Sequence, residues 1–446
     1  MYYKIIEKLN NKHIAILGYG REGKSTYRFI KKYCNNTKVT IMDYKDIQND
    51  FHNEFNDEVN FIVGEDYLKD LEKYDLIIKS PGISLKDINI ALFENKISSQ
   101  VELLLEVYKN NCIGITGTKG KSTTSSLIYK ILKDQGKDTY LVGNIGEPVF
   151  DNIENYKEET TIVIELSSHQ LEFLNVSPHI GLVLNLFEDH LDHAGSLYHY
   201  HQIKLNMFRN QNNNDIGIYN FDNEYLKKYI SEEKFNSKLF GISLSEKKDT
   251  FKENNIIYFE NKFLYDIDTP KLLLGEHNTT NIIFSLLVAS IMNLDMNKAI
   301  QSISTFKPLD YRIQCVGNYN DITFYVDTLA TIPEATIQSI ETLGNVDTLI
   351  FGGMDRGIEY KEFINYLNNS SINNLICMPS TGYKIGKEII NKNVYFISDL
   401  KEAVEKAKEV TSKDKICLLS PAASSYEYFK NYAEKAEAFI KYVKNI

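Results

Sequence analysis

Two glycine-rich loops could bind phosphate groups, and the first of them, GYGREGKS at 18–25, fits two phosphate-binding patterns at once. Gly18, Gly20 and Gly23 fit GxGxxG, and the same stretch fits GxxxxGK followed by Ser or Thr. The loop follows the apolar run HIAILG, and the next apolar run ends at Asp43. This context favours a Rossmann-like diphosphate site, in which backbone N–H groups at a helix N-terminus hold the phosphates. A tight turn that needs glycine for steric reasons alone is the alternative.

The second loop, GTKGKSTT at 117–124, lacks the first glycine of the full P-loop spacing but has the better context for ATP. An apolar run leads into it and an amphipathic helical pattern follows it. Its N–H groups would hold the β-phosphate, Lys121 would neutralise β/γ charge, and a hydroxyl of Ser122 or Thr123 would reach Mg²⁺. The later run TIVIEL ends near Glu165, where a metal-binding carboxylate is expected. We therefore expect ATP at the loop formed by Gly117, Thr118, Lys119, Gly120, Lys121, Ser122 and Thr123.

Short apolar runs alternate with amphipathic segments along almost the whole chain, which is typical of βα units and parallel sheets. The apolar runs form three series, within 13–79, 112–186 and 322–420. Residues 256–265 predict a hairpin, so the central part should also contain antiparallel strands. The predicted fold is α/β in three domains: a Rossmann-like N-terminal domain at 1–105, a central P-loop domain at 106–306 and a Rossmann-like C-terminal domain at 307–446.

Composition excludes several classes of protein. The 60 acidic and 50 basic residues give a net charge of -10, which disfavours nucleic acid as a partner because phosphate binding needs a basic surface. The five cysteines form no CxxC pair, which is typical of a reduced cytosolic chain. No signal peptide is visible, and the longest apolar run is too short to span a bilayer. We therefore expect a cytoplasmic protein without membrane or nucleic-acid partners.

Further motifs extend the pattern of the second loop through the rest of the chain. They are VGNIGEP at 142–148, ELSSHQLE at 165–172, NLFEDHLDHAGS at 185–196, LLLGEHNTTN at 272–281, GGMDRGIEY at 352–360 and LLSPAASS at 418–425. Together with GTKGKST, these motifs resemble in type and order those of the Mur ligases. The resemblance covers nearly the whole chain.

The resemblance implies ATP-dependent formation of an amide bond in peptidoglycan precursor synthesis, through an acyl phosphate and a tetrahedral intermediate. The GNIG and ELSS segments and the short N-terminal domain imply addition of D-glutamate to UDP-N-acetylmuramoyl-L-alanine (UDP-MurNAc-L-Ala). A ligase of the same fold that uses another amino acid, such as L-glutamate, is one alternative. A degenerate ligase that acts as a nucleotide-binding scaffold is another. We expect a monomer with these small molecules as its partners.

The resemblance also implies roles for particular residues. Two Mg²⁺ ions are expected, one at Ser122 and a second held by Glu165, His190 and Lys204, with Lys204 carbamylated so that it offers an anionic oxygen. With Lys121, these residues form the expected catalytic set. Beyond the loop, the expected ATP contacts are Asn278, Asn281, Arg312 and Asp327. The expected contacts for the UDP substrate are Gly18, Gly20, Arg21, Glu22, Asp43, Ser80, Pro81, Gly82, Asn144 and His190. The expected contacts for the amino acid are Thr328, Thr331, Arg356, Ser425 and Tyr432.

The C-terminal third departs from the family pattern where the amino acid should bind. Leu329 stands where a lysine usually helps to bind the glutamate side chain, and Arg356 replaces another lysine. Arginine holds a carboxylate in a bidentate fork that lysine cannot form, so this exchange is not neutral. Unchanged chemistry and altered specificity, D-glutamate against L-glutamate, both stay open.

Four histidines near the metal motif allow a rival interpretation. His190, His193, His199 and His201 could form a zinc site, because histidine is a common zinc ligand. No cysteine lies nearby, and tyrosines alternate with two of the histidines. We therefore favour surface histidines on a helix over a zinc site.

Overall fold

A computed structural model describes residues 1–188, 195–273, 275–307, 310–425 and 429–445. It contains three sheets, one in each part of the chain for which the sequence predicts an α/β domain. Within the described ranges, no helix is both long enough and apolar enough to cross a bilayer.

The N-terminal sheet is parallel and has the strand order β3-β2-β1-β4-β5. Its strands are β1 (His13–Leu17), β2 (Lys38–Asp43), β3 (Asn60–Val63), β4 (Leu76–Lys79) and β5 (Ile97–Ser98). The helices of this part are α1 (Tyr3–Leu9), α2 (Arg21–Tyr33), α3 (Gln48–His52) and α4 (Gln100–Tyr108). The first glycine loop connects β1 to α2, as the sequence predicts.

The central sheet has the order β14-β13-β12-β11-β10-β9-β6-β8-β7, where β12, β13 and β14 pair antiparallel and the other pairs are parallel. The predicted hairpin is therefore confirmed. The strands are β6 (Cys112–Thr116), β7 (Thr139–Gly143), β8 (Thr161–Glu165), β9 (Ile180–Val183), β10 (Ile216–Asn220), β11 (Lys238–Ser243), β12 (Thr250–Glu253), β13 (Ile256–Phe259) and β14 (Lys262–Asp266). The helices are α5 (Lys121–Asp134), α6 (Ser168–Leu171), α7 (Leu197–Arg209), α8 (Glu224–Glu232), α9 (Glu276–Ile291) and α10 (Met296–Ser304).

The C-terminal sheet has the order β15-β16-β20-β17-β18-β19, and β15 pairs antiparallel with β16. The strands are β15 (Gln314–Tyr319), β16 (Ile322–Val326), β17 (Val346–Gly353), β18 (Asn374–Ser380), β19 (Asn393–Phe396) and β20 (Lys415–Leu419). The helices are α11 (Pro333–Leu343), α12 (Lys361–Asn369), α13 (Thr381–Gly386), α14 (Leu400–Val410) and α15 (Tyr432–Lys444). Apolar clusters cover both faces of this sheet, as a parallel sheet requires.

The N-terminal and central sheets share one apolar core, so these two parts of the chain form a single compact unit. The rings of Phe29 and Phe150 lie 4.6 Å apart between centroids, and those of Tyr108 and Tyr156 lie 5.7 Å apart. The sequence predicts two domains here, at 1–105 and 106–306, and the two series of βα units pack against each other through this core. The first unit comprises 1–187, 196–269 and 281–303, and the second comprises 188–195, 270–280 and 304–446.

Candidate functional site

The second glycine loop forms a tight turn between β6 and α5. Gly117 and Gly120 adopt φ angles of +150° and +80°, which residues with a side chain rarely adopt. A Cβ on Gly120 would lie 2.5 Å from Oδ1 of Asn281, so only glycine fits there. The ammonium of Lys121 donates hydrogen bonds to the carbonyls of Gly117 and Thr118 at 2.9 and 3.0 Å. The loop therefore curls around the start of α5 in the manner of a phosphate-binding turn.

Asn185, which follows β9, holds this loop from the side. Its Oδ1 accepts a hydrogen bond from the backbone N–H of Lys119 at 2.8 Å, and its Nδ2 donates to the Lys119 carbonyl at 3.1 Å. Its own carbonyl accepts from the N–H of Thr118 at 3.0 Å. The ammonium of Lys119 lies 4.4 Å from the ring centre of Phe187. Sequence reasoning missed Asn185, although the residue opens the quoted NLFEDH motif.

Glu165 ends β8 beside the loop, because β6 and β8 are parallel neighbours that pair Ile115 with Glu165. The side chain is buried, and its Oε1 accepts a hydrogen bond from Nδ2 of Asn144 at 2.7 Å. Its Oε2 lies 3.5 Å from the hydroxyl of Ser125. The structure thus brings together Glu165 and Asn144, which the sequence assigns to the metal and to the UDP substrate respectively.

Lys204 reaches the same loop from α7. Only 1% of the residue is exposed, and its ammonium donates a hydrogen bond to the Gly117 carbonyl at 3.0 Å. The ammonium also lies 4.8 Å from the ring centre of Tyr200. Lys121 and Lys204 therefore converge on one carbonyl oxygen. Ser122 lies half-buried in the first turn of α5, and His190 lies outside the described residues.

The histidines of α7 do not resemble a metal site. His199 is exposed, whereas His201 is buried with its Nδ1 3.4 Å from the hydroxyl of Tyr229, so the expectation of a surface histidine is wrong for His201. Burial lowers the pKa of His201 to about 4. Across the described part of the chain, no three His, Cys, Asp or Glu side chains are grouped so that they could hold a metal ion. His193, like His190, lies outside that part.

In the first glycine loop, local geometry requires glycine at positions 18 and 23 but not at position 20. A Cβ on Gly23 would lie 2.0 Å from the Gly18 carbonyl oxygen, and Gly18 itself has a φ angle of +84°. A Cβ on Gly20 would meet no atom within 4 Å. The hydroxyl of Ser80 donates to the Gly18 carbonyl at 3.0 Å, and Oδ2 of Asp43 accepts from the N–H of Tyr19 at 2.8 Å. Pro81 is half-buried and Gly82 is exposed.

Arg21 and Glu22 turn their side chains toward the central sheet. The Arg21 guanidinium donates a hydrogen bond to the Gly146 carbonyl. The Glu22 Oε1 accepts from Nε2 of Gln170 at 2.8 Å, and its Oε2 is buried without a hydrogen-bond partner in the described residues. Burial raises the pKa of the Glu22 carboxyl to about 7. Gln170 was not identified from the sequence, although it lies inside the quoted ELSSHQLE motif.

In the second unit, Arg312 and Asp327 form an ion pair. The Arg312 Nη1 lies 3.1 and 3.2 Å from the two oxygens of Asp327, which is fully buried and also accepts from the hydroxyl of Ser339. The structure therefore brings these two predicted ATP contacts together. Asn278 and Asn281 lie one turn apart on α9, and both are buried.

Four of the five residues predicted to bind the amino acid follow β16, β17 or β20 in the chain, and the fifth, Tyr432, begins α15. The Arg356 Nη2 donates to the hydroxyl of Ser424 at 3.2 Å. The hydroxyls of Thr328 and Ser425 are buried and have no hydrogen-bond partner among the described residues. Thr331 is half-buried, and Tyr432 is 42% exposed.

A cavity of about 270 Å³ is lined in part by Ser425, which is one of these residues, and by Phe429 and Lys435. The Lys435 ammonium donates to the Gly352 carbonyl at 2.9 Å, and burial lowers the pKa of Lys435 to about 8. The sequence analysis did not identify Lys435, because this residue lies outside every quoted motif.

Family models match successive parts of the chain and together cover most of it. The Mur ligase MurD-like N-terminal domain matches residues 12–101, the Mur ligase middle domain matches 115–289, and the Mur ligase glutamate ligase domain matches 311–423. The chain therefore belongs to the Mur ligase family and is an ATP-dependent ligase.

Curated relatives narrow the class further. A UDP-N-acetylmuramoylalanine--D-glutamate ligase of Clostridioides difficile (strain 630) is 31% identical over 455 aligned positions, which cover 98% of this chain and 99% of the relative. A ligase of the same name from Caldanaerobacter subterraneus subsp. tengcongensis is 32% identical, over 86% of each chain.

Solved structures of the family share the fold. MurF ligase from Thermotoga maritima in complex with ADP has a TM-score of 0.60 and 16% identity, over 98% of this chain and 96% of that one. The UDP-N-acetylmuramate-alanine ligase MurC from the same organism has a TM-score of 0.61 and 18% identity, over 97% and 99%. At these identities the likeness concerns the fold alone.

Proposed function

We propose that this chain adds D-glutamate to UDP-MurNAc-L-Ala in the cytoplasm, as a monomer, at the expense of ATP. One observation above all supports this function: Lys121, Lys204 and Glu165 converge around the Gly117 turn. The name shared by the full-length relatives supplies the substrates. The segments 1–105, 106–306 and 307–446 would bind the UDP end, ATP and the amino acid respectively.

The proposed reaction requires positive charge close to the transferring phosphoryl group. A carboxylate is a poor electrophile, so ATP first phosphorylates the substrate carboxylate, and phosphate is then the leaving group when the amine attacks. Negative charge builds up on the transferring phosphoryl group, where preorganised cations lower the barrier most. Lys121 would release the carbonyls of its own loop and bind the β- and γ-phosphates. Lys119, held by Asn185, would add a second cation.

The side chains at the turn fit Mg²⁺, which prefers carboxylate and hydroxyl oxygens. Ser122 would hold one Mg²⁺ ion, and Glu165 with His190 and Lys204 would hold a second. When bound, the ions would neutralise charge on the phosphoryl oxygens. Lys204 offers an oxygen only after carbamylation, and its buried position close to Gly117 suits that role. Asn144 would orient Glu165 through the hydrogen bond that it already donates.

The first loop would bind the UDP end. A Cβ at position 20 would meet no protein atom within 4 Å, so the space beside Gly20 is open. A diphosphate could therefore approach the backbone at the start of α2. Asp43 and Ser80 hold the loop in shape through Tyr19 and Gly18. Arg21 and Glu22 would act through their contacts with the central sheet.

The second unit would bind the amino acid and part of ATP. Thr328 and Ser425 offer buried hydroxyls that lack partners in the described residues, and buried polar groups of this kind favour a hydrogen-bonding ligand. Arg356 can hold a carboxylate with its planar fork. Arg312 and Asp327 would contact the nucleotide as a pair, because each restrains the other.

A phosphate-release assay tests this function. UDP-MurNAc-L-Ala and ATP are offered with D-glutamate, L-glutamate or a panel of other amino acids. Release that depends on D-glutamate supports the proposal, and preference for L-glutamate would instead support the alternative specificity. Binding of ATP and the UDP substrate without turnover for any amino acid would support the scaffold.

A separate experiment tests carbamylation of Lys204. Partial rescue of Lys204→Ala by short carboxylates supports the carbamate, whereas failure of rescue in a folded variant contradicts it.

A further inference from the structure

Two neighbouring residues of the first glycine loop each reach a different segment of the central sheet. Arg21 donates to the carbonyl of Gly146, and Glu22 accepts from Gln170. The two contacted segments are the loop after β7 and the short helix α6 after β8. They are neighbours, because β7 and β8 pair in parallel and Gly143 lies opposite Glu165.

Both the oxygen and the nitrogen of the Gln170 side-chain amide form hydrogen bonds. Its Oε1 accepts from the N–H and from the hydroxyl of Ser167, at 3.0 and 3.1 Å, which completes the capping box of α6. Its Nε2 donates to Glu22 at 2.8 Å. Rotation of this amide would break its hydrogen bonds to Ser167 and to Glu22 at the same time. The position of Glu22 is therefore linked to the start of α6.

Glu165 lies two residues before the N-cap of α6 and is held by the loop after β7. The N–H and Nδ2 of Asn144 donate to the carbonyl and to Oε1 of Glu165, at 3.0 and 2.7 Å. The next carbonyl, that of Leu166, accepts from the hydroxyl of Thr116 at 2.8 Å. Asn144 therefore joins the carboxylate to the loop after β7, which Arg21 contacts, and the main chain joins Glu165 to the N-cap of α6 two residues later.

A second connection runs parallel to the first. The ammonium of Lys79, at the end of β4, lies 3.5 Å from Oε2 of Glu172, and both side chains are largely buried. Lys79 directly precedes Ser80, whose hydroxyl binds the Gly18 carbonyl. The first loop and the ELSSHQLE segment are therefore joined at two points.

We propose that Glu22 and Gln170 are positioning residues that couple binding of the UDP substrate at the first loop to metal binding at Glu165. This role rests on the proposed function for the identity of the two ligands. When the UDP end orders the first loop, the Glu22–Gln170 bond holds α6, and Glu165 keeps the orientation that Asn144 sets. Neither residue needs to touch a substrate through its side chain.

A charge exchange tests the coupling. Gln170→Glu removes the N–H group that donates to Glu22 and puts a second carboxyl group there, and above the raised pKa of Glu22 the two carboxylates repel each other. The double variant Glu22→Gln with Gln170→Glu restores a donor and an acceptor in reversed order. In phosphate-release assays we expect Gln170→Glu to raise both the KM for UDP-MurNAc-L-Ala and the half-saturating Mg²⁺ concentration by about tenfold or more, with the KM for the amino acid unchanged. The double variant should return both to within about threefold of wild type.

A glutamine on the surface supplies the control. Gln48→Glu adds the same charge on the exposed helix α3 and should change neither constant. If Gln170→Glu does not fold, Gln170→Met removes both the donor and the acceptor of the amide at nearly constant length and should shift both constants in the same direction. The coupling is contradicted if Gln170→Glu lowers only thermal stability, if it shifts one constant alone, or if the double variant is no better than Gln170→Glu.

A second measurement separates this role from the proposed ligase activity, because it needs no turnover. Electron paramagnetic resonance follows Mn²⁺ binding to the full chain with a non-hydrolysable ATP analogue, with and without UDP-MurNAc-L-Ala. In wild type the UDP substrate should tighten Mn²⁺ binding about threefold or more, and in Gln170→Glu it should not. An inactive wild type that shows this tightening would refute the ligase proposal and keep the coupling. An active wild type in which the UDP substrate does not tighten Mn²⁺ binding would support the ligase proposal and refute the coupling.

Discussion

Replacing Gly120 by alanine should disable the second glycine loop, where we propose that ATP binds, more than it destabilises the protein. The added Cβ would lie 2.5 Å from Oδ1 of Asn281, which also accepts a hydrogen bond from the hydroxyl of Thr124 at 3.2 Å. Asn281 must move, and the loop must move with it, because Gly120 is the residue just before α5. Gly136 provides a matched control: its φ angle of +73° is nearly the same as the +80° of Gly120, but its Cβ would meet no atom within 4 Å.

The magnitudes follow from these contacts. Forcing a residue with a side chain into the left-handed region costs about 1–2 kcal/mol at either position. Loss of the Thr124–Asn281 hydrogen bond adds about 1 kcal/mol for Gly120→Ala alone. We therefore expect the free energy of unfolding to fall by about 1–2 kcal/mol in Gly136→Ala and by about 2–3 kcal/mol in Gly120→Ala.

Urea unfolding and steady-state phosphate release measure the two effects separately. Gly120→Ala should raise the KM for ATP about tenfold or more, and Gly136→Ala should leave it unchanged. A normal KM for ATP in folded Gly120→Ala would refute the assignment of ATP to this loop. Equal loss of activity in both variants would show that backbone strain, rather than the contact with Asn281, is responsible.

Three further predictions concern single lysines. Lys121→Ala should reduce phosphate release by about 100-fold or more, because the cation that we propose binds the β- and γ-phosphates is lost; near-normal release would contradict this role. Lys24→Ala should raise the KM for the UDP substrate and spare that for ATP, since Lys24 lies in the first loop, where it pairs with Asp50 at 2.7 Å; the opposite pattern would make the first loop the ATP site. For Lys435, burial lowers the folded-state pKa to about 8, below the value of about 10.4 in an unfolded chain. Between these values the unfolded state binds more protons, so wild type should gain stability as the pH rises, and Lys435→Met should lose that gain in urea unfolding.

Local patterns predicted the fold well where a strand is apolar and followed by a glycine or a charged residue. β1 and β6 lead into the two loops, and β13 and β14 form the expected hairpin. β12 was missed, because its sequence TFKE is short and half polar. β7 and β10 were missed as well, since their runs carry glycine or asparagine and are stabilised by neighbouring strands that local sequence does not reveal.

The sequence by itself determined the family motifs, the two glycine-rich loops and most of the residues proposed to bind ATP, because glycine spacing and strand-loop-helix order are local properties. Only the tertiary structure decided which of these residues meet. Gln170 reaches Glu22 across 148 positions, and Asn185 holds Lys119 across 66. Such contacts depend on how the sheets pack together, and the periodicity of the sequence does not reveal that packing. The shared core of the first two sheets has the same origin, and it places the two loops, separate in sequence, within one compact unit.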